Sequence, residues 1–221
     1  MKERYFSPET INNKAQEFFQ EYGLQRQSQA IPFVPARSAL LVLDMQSFFL
    51  SEASHAYIPS GEAILPGLCG LVQAYALRGL PVFFTRHINT PGDAGTMDSW
   101  WRDLISAGDP FSEIVPDLDV PSGIVIQKSQ YDAFHQTRLE QLLVSEAVSQ
   151  VVIGGVMTHL CCETTARTAF TRGYEVFFLV DGTATYNEAF HRATLLNLSH
   201  GFAVLLLVKD VLARIGKAPH A

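Results

Sequence analysis

Charged residues are scarce in this chain: lysine, arginine, aspartate and glutamate make up 17% of its 221 residues, and the net charge is −6. No basic block stands out, which argues against nucleic acid as a partner. Cysteine is scarce too, with three residues whose irregular spacing predicts no disulfide framework. We therefore expect reduced thiols and a cytoplasmic protein.

Long apolar segments are also missing. The longest aliphatic run, FAVLLLV at residues 202–208, is far too short to cross a bilayer. The first ten residues, MKERYFSPET, lack the apolar core of a secretory signal. We expect no membrane association. Hydrophobic residues nevertheless make up 48% of the chain, which is typical of a well-packed globular protein.

Short apolar runs alternate with helical patterns along most of the chain. The runs lack polar alternation, so we predict strands that are buried on both faces, as in a parallel sheet. The predicted strands are 38–45, 81–87, 123–128, 150–155, 174–180 and 202–208. With the helices between them, they predict an α/β fold: a three-layer α/β/α domain over residues 37–221 with a mostly parallel six-stranded sheet.

Residues 1–36 form a predicted N-terminal helical arm. A helix is expected from Ser7 and Pro8 to the glycine at position 23, with apolar residues on one face. That face must cover either its own domain or a neighbouring subunit. Together with the high apolar content, the arm suggests a homo-oligomer.

Three chemically active side chains are expected at one edge of the sheet. Asp44 ends the first strand, Lys128 ends the third, and Cys161 opens the helix after the fourth. Ligand sites of parallel sheets lie at the carboxyl ends of the strands. Each residue alone has a structural explanation: a cap, a solvated strand end or a buried thiol. An acid, an amine and a thiol at one edge indicate a functional site.

The two adjacent cysteines differ in their helical alignment. Cys162 shares a line with Ala166 and Ala169, the small apolar stripe that a helix presents to a sheet. Cys161 shares a polar line with Thr165 and stands in the first turn, where the helix dipole favours a thiolate. We predict that Cys162 is a packing residue and that Cys161 faces a cleft.

Three segments, ALLVLDMQSFF, IQKSQYDAF and GGVMTHLCCETTARTAFTRGYEVFFLVDGTAT, resemble the isochorismatase-like cysteine hydrolase superfamily. The resemblance covers roughly residues 37–210. It implies a catalytic triad of Asp44, Lys128 and Cys161. It also implies a cis peptide bond between Val156 and Met157, which would aim the N–H groups of Met157 and Cys161 into an oxyanion hole.

The activity that this resemblance implies is hydrolysis of a C–N bond in a small amide or ureido substrate through a thioester on Cys161, without a cofactor. It also implies dimers or tetramers. Two alternatives stay open: a vinyl-ether hydrolase of the isochorismatase type that uses Asp44 without need for Cys161, and a non-catalytic binding or scaffolding member of the family. The presence of Cys161 favours thiol chemistry, because the isochorismatases proper have glycine at this position.

The substrate site is expected to include aromatic residues and residues 88–122, a long connection typical of a binding loop. Nicotinamidases carry an Asp-x-His metal motif after the second strand, whereas this chain reads TRHIN there, so no catalytic metal is expected. Arg86 and Arg102 are candidates for holding a substrate carboxylate. His159 stands where most amidases of the superfamily have aspartate. The expected substrate contacts are Phe49, His87, Trp100, Trp101, Tyr131 and Phe134.

Overall fold

The computed structural model describes residues 1–23 and 31–217. Within them lies a six-stranded sheet in which every paired strand is parallel to its neighbour. The strands are β1 (Ser38–Leu43), β2 (Val82–His87), β3 (Ile124–Lys128), β4 (Gln150–Val156), β5 (Glu175–Ala184) and β6 (Val204–Leu206). Their spatial order is β3-β2-β1-β4-β5-β6. The predicted fold class is confirmed, and the sheet is wholly parallel.

Helices cover both faces of the sheet. They are α1 (Ile11–Tyr22), α2 (Ser47–Leu50), α3 (Gly61–Leu77), α4 (Met97–Trp100), α5 (Leu139–Ser145), α6 (Glu163–Thr171), α7 (Glu188–Gly201) and α8 (Val208–Lys217). Helix α3 packs against α8, whereas α7 packs against both α1 and α6. None of the helices in the described ranges is long and apolar enough to cross a membrane.

The last predicted strand is too long. Strand β6 covers only Val204–Leu206, and Val208 begins helix α8, which the sequence analysis did not predict. The apolar run continues from the strand into the buried face of this helix, which is formed by Val208, Val211 and Ile215. The Asp181 carboxylate accepts the backbone N–H of Val208 at 2.8 Å and so helps to start the helix.

The N-terminal arm packs on its own chain. Phe6 and Phe18 are completely buried in the same hydrophobic core as the sheet. Helix α1 begins at Ile11, later than the predicted start at Ser7. Because the apolar face of the arm is covered within the chain, it no longer argues for a partner subunit. The domain boundary at residue 36 and the dimer or tetramer stay predictions.

Candidate active site

Strands β1, β3 and β4 bring Asp44, Lys128 and Cys161 together. The Lys128 Nζ atom lies 2.8 Å from Asp44 Oδ2 and 3.4 Å from Cys161 Sγ. The side chains of Asp44 and Lys128 have no exposed surface, and Cys161 is 5% exposed. An acid, an ammonium and a thiol therefore share one buried cluster at the carboxyl edge of the sheet, as the strand ends predicted.

Asp44 is held in place by its neighbour strand. Its backbone has a positive φ of 51°, which turns the chain sharply after β1. The Thr85 hydroxyl donates a 2.6 Å hydrogen bond to Asp44 Oδ1. Burial is the strongest influence and opposes ionisation of the carboxyl, but the charge of Lys128 together with the surrounding polar contacts lowers the Asp44 pKa below its usual value. Asp44 is therefore a carboxylate at neutral pH.

Cys161 is a thiol in the resting protein. Burial and the neighbouring Asp44 carboxylate raise its pKa above the usual value, although Lys128 acts in the opposite direction. The helix dipole was expected to favour a thiolate. Burial and the neighbouring carboxylate act against that effect in the free protein. The Lys128 pKa is raised: burial opposes its charge, but Asp44 and Cys161 favour it.

The adjacent Cys162 has a packing role, as predicted. It is completely buried in the hydrophobic core together with Ala166 and Ala169. Cys161 instead lines a cavity. A single π-helical turn, Thr158–Cys162, leads into α6 and points the two side chains in these different directions.

The segment before this turn passes very close to β1. A Cβ atom on Gly155 would lie 2.1 Å from the carbonyl oxygen of Leu43, so only glycine fits there. One residue further on, the peptide bond between Val156 and Met157 is cis. Met157 and Cys161 both line the cavity. Their roles as oxyanion donors stay predictions.

A small cavity of about 70 Å³ opens from Cys161. Four of the predicted substrate contacts line it: Phe49, His87, Trp101 and Tyr131. The indole N–H of Trp101 donates a 2.7 Å hydrogen bond to the Tyr131 hydroxyl, which fixes these two rings relative to each other. The cavity suits a small molecule, and its walls include the aromatic rings of Phe48, Phe49, Trp101, Tyr131 and Tyr186.

Two predicted substrate contacts lie elsewhere. Trp100 points into solvent with 74% of its surface exposed, unlike the adjacent Trp101. Phe134 is buried beside Tyr174, with the Arg172 guanidinium over its ring. Trp100 ends the short helix α4 and Trp101 follows it, so the two side chains point in different directions, and no periodicity in this part of the sequence would separate them.

The candidate carboxylate-binding arginines also have other partners. Arg86 forms an ion pair with Glu113 and donates a 2.9 Å hydrogen bond to the Ser112 carbonyl. Arg102 is exposed beside Asp103. Neither arginine is among the residues that line the cavity.

Several lining residues were not predicted as substrate contacts. Asn89 follows His87 by two positions, so its place beyond the end of β2 was a usable signal. The others lie in loops, turns and the short helix α4 without a recognisable sequence pattern. The unpredicted lining residues include His55, Asn89, Met97, Leu160 and Tyr186. His159 lies outside this set: it stacks on Phe190 and hydrogen-bonds Thr185.

Asp44, His87 and Cys161 also form a possible metal-binding set. Their ligand atoms lie within 4.8 Å of one another. The ammonium of Lys128 contacts each of the three side chains, at 2.8, 3.2 and 3.4 Å. A metal ion bound by all three would have to displace this ammonium, so the cluster fits an ammonium better than a metal.

Known proteins resemble this chain over most of its length. The isochorismatase domain model matches residues 38–210. The chain is 42% identical over 174 residues to "Nicotinamidase 3" of Arabidopsis thaliana, covering 76% of this chain and 84% of that protein. It is 31% identical over 169 residues to "Enterobactin synthase component B" of Escherichia coli (strain K12), covering 74% of this chain and 58% of that protein.

A solved structure shows the same architecture. The cysteine hydrolase from Pseudomonas syringae pv. phaseolicola 1448A superposes with a TM-score of 0.81 at 27% identity, covering 86% of this chain and 97% of that one. The family model, the relatives and the sheet topology all point to the same group of proteins. This chain therefore belongs to the isochorismatase family.

Proposed function

We propose that this protein is a cysteine hydrolase that cleaves the C–N bond of a small amide through a thioester on Cys161. The observation that carries the proposal is the buried contact of Lys128 with Asp44 and Cys161 at the wall of a cavity. A buried thiol without a nearby base would be an inert packing residue. Here a carboxylate lies beside it, with an oxygen within 4.8 Å of the sulfur.

The first step is proton transfer from Cys161 to Asp44. Asp44 is ionised and the Cys161 thiol is protonated in the free protein, so the carboxylate can act as general base. The sulfur attacks the carbonyl carbon of the substrate, and a C–S bond forms. Lys128 keeps its positive charge and stabilises the negative charge while it moves from the carboxylate to the sulfur.

The tetrahedral intermediate then loses its amine. The N–H groups of Met157 and Cys161 are the proposed donors to its oxyanion, an interaction worth roughly 3–4 kcal/mol per donor. The carboxyl of Asp44 returns the proton to the leaving nitrogen, and the C–N bond breaks. A water molecule that Asp44 activates attacks the thioester, and it releases the acid and restores the thiol.

A carboxamide on a small aromatic ring is the first substrate to test. The cavity has aromatic walls, among them Phe49, Trp101 and Tyr131. The relative with 42% identity is a nicotinamidase by name. Nicotinamide therefore comes first in a panel that also contains ureido compounds and isochorismate, a vinyl ether.

The experiment measures ammonia or acid release from this panel by the wild-type protein and by two matched cysteine variants. Cys161→Ala should abolish amide hydrolysis and leave thermal unfolding almost unchanged. Cys162→Ala should keep amide hydrolysis and lower the unfolding temperature, because it truncates a core residue. Undiminished amide hydrolysis by Cys161→Ala would refute the thioester, and isochorismate cleavage by that variant would favour the vinyl-ether alternative.

A further inference from the structure

The ammonium of Lys128 is surrounded by more acceptors than it can serve. It lies 2.8 Å from Asp44 Oδ2 and 2.9 Å from the Gln130 carbonyl oxygen. It also lies 3.2 Å from His87 Nδ1 and 3.4 Å from Cys161 Sγ. An ammonium has three N–H groups. Four acceptors therefore compete for three hydrogens, and the two longest contacts are those to His87 and Cys161.

The surrounding hydrogen bonds fix the tautomer of His87. Because Lys128 can only donate, the Nδ1 atom of His87 must be an acceptor. The Nε2–H group then donates to Asn89 Oδ1 at 2.8 Å. The Asn89 amide nitrogen donates to the Ser129 carbonyl at 2.8 Å, which sets the orientation of the amide. Ser129 follows Lys128, so this chain of hydrogen bonds returns to the end of β3.

The backbone of His87 is held equally firmly. His87 and Lys128 are register partners on the parallel strands β2 and β3. The Gln46 side chain accepts the His87 N–H at 2.8 Å and donates to its carbonyl oxygen at 3.0 Å. The residue is only 6% exposed. His87 therefore offers Lys128 an acceptor whose position is fixed from both sides.

We propose that His87 is a positioning residue for Lys128. Lys128 donates its third N–H to His87 Nδ1 in the resting protein and to Cys161 Sγ during the reaction. The inference rests on the proposed cysteine hydrolase function and adds a residue to it. From the sequence alone, His87 was expected only as a substrate contact. Both ring nitrogens of His87 already have partners within the protein, so only its ring surface is left for the cavity.

The step that this arrangement supports is proton transfer from Cys161 to Asp44, and all of its partners lie within the Lys128 site. The S–H bond of Cys161 breaks, and its proton forms an O–H bond on Asp44. The third N–H of Lys128 then changes its acceptor from His87 Nδ1 to the thiolate, and Lys128 stays protonated. His87 gains and loses no proton. Its imidazole keeps the ammonium within reach of the sulfur while the sulfur is still a weak acceptor.

Three substitutions of His87 test this role. In His87→Asn the amide oxygen can occupy the place of Nδ1 and accept from Lys128. In His87→Gln the amide lies further out, near the place of Nε2, and His87→Phe has the shape of the ring without an acceptor. His159→Asn is the matched control, since His159 lies in the turn that carries Cys161 but outside the cavity lining.

The primary readout is the rate at which iodoacetamide alkylates Cys161 in the substrate-free protein at pH 7, measured by peptide mass spectrometry. We expect His87→Phe and His87→Gln to slow alkylation about tenfold, the effect of a thiol pKa raised by one unit. His87→Asn should stay within about threefold of the wild type, as should His159→Asn. Thermal unfolding identifies any variant that fails to fold, and His87→Asn then carries the comparison.

The outcomes separate this inference from the proposed function. Equal alkylation rates in all three His87 variants, or equal slowing in all three, would overturn the positioning role. Where nicotinamide is hydrolysed, His87→Phe should lower kcat and leave KM within about threefold; a change in KM alone would assign His87 to substrate binding. Slowed alkylation in a protein that hydrolyses no amide would keep the positioning role and refute the proposed function.

Discussion

Two buried polar clusters lie on either side of the turn that carries Cys161. The Lys128 cluster consists of Asp44, His87, Lys128 and Cys161. The His191 cluster consists of Tyr5, Thr158 and His191, in which His191 Nδ1 lies 3.1 Å from both the Tyr5 hydroxyl and Thr158 Oγ1. Both clusters contain a buried neutral histidine, but only the first contains charges and borders the cavity.

The difference shows what separates a reactive polar cluster from a structural one. His191 is packed against the rings of Phe6 and Phe18, so its cluster ties the N-terminal arm to helix α7 and to the turn that carries Cys161. The Lys128 cluster holds an ion pair, a proton donor and a proton acceptor within a few ångströms. Charge and access to the cavity, more than the presence of histidine, mark the reactive cluster.

The largest expected effect on stability comes from a substitution that breaks the charge balance of the Lys128 cluster. Lys128→Met leaves the Asp44 carboxylate buried without its partner, which should lower the free energy of unfolding by about 3–5 kcal/mol. Adding Asp44→Asn removes the unpaired charge, so the double variant should regain most of that stability while staying inactive. Urea unfolding of the single and double variants checks this. A double variant no more stable than Lys128→Met would contradict the ion-pair account.

The second prediction compares how the two buried histidines make the stability of the protein depend on pH. Burial lowers the pKa of His87 to about 4 and that of His191 to about 3, from an ordinary value of 6.5. Between pH 6.5 and 4 the unfolded chain binds protons that the folded protein does not, so stability falls as the pH falls. Each histidine contributes about 1 kcal/mol per pH unit.

His191→Phe removes one of these two titrations. Its free energy of unfolding should therefore fall less steeply from pH 6.5 to 4, by about 1 kcal/mol per pH unit, than that of the wild type. The Asp44 pKa is lowered, so its ion pair is lost only below this window. Urea unfolding at several pH values gives both slopes, and identical slopes would mean that His191 does not stay neutral in the folded protein.

The smallest expected effect is a shift in the pH profile caused by a change next to Asp44, the proposed general base. Thr85→Val removes the hydroxyl that donates to Asp44 Oδ1 at 2.6 Å. Losing a hydrogen bond to the carboxylate raises its pKa, so the acid limb of the pH profile of kcat/KM should move up by about one unit or less. Thr183→Val is the control, because Thr183 donates to the Leu179 carbonyl within β5. An unmoved acid limb would argue against Asp44 as the base.

The fold and the catalytic cluster could be predicted from the sequence because the carboxyl ends of parallel strands lie at the same edge of the sheet. Asp44 and Lys128 stand at the ends of apolar runs, and Cys161 opens the helix after a third run, so placing the runs side by side also places the side chains. The alignment of Cys162 with Ala166 likewise separated the two cysteines correctly. These predictions needed only the periods of strands and helices.

The features that the sequence did not predict depend on three-dimensional surroundings. The thiol state of Cys161 follows from its burial and its distance from Asp44, which no local pattern encodes. Trp100 is exposed whereas Trp101 lines the cavity, and this difference depends on the position of helix α4 beside the cavity. Helix α8 was missed because its first buried residue, Val208, continues the apolar run of β6.

The most direct test of the account is a competition among the three cysteines for limiting iodoacetamide near pH 7, read by peptide mass spectrometry. Cys69 is the most exposed of them, with Cys161 only 5% exposed and Cys162 completely buried. We predict that Cys161 is labelled first, because Asp44 takes its proton as the sulfur attacks the reagent, and that Asp44→Asn changes this rate and leaves that of Cys69 unchanged. Labelling in the order of exposure, with Cys69 first and Cys161 unaffected by Asp44→Asn, would contradict an activated nucleophile at Cys161.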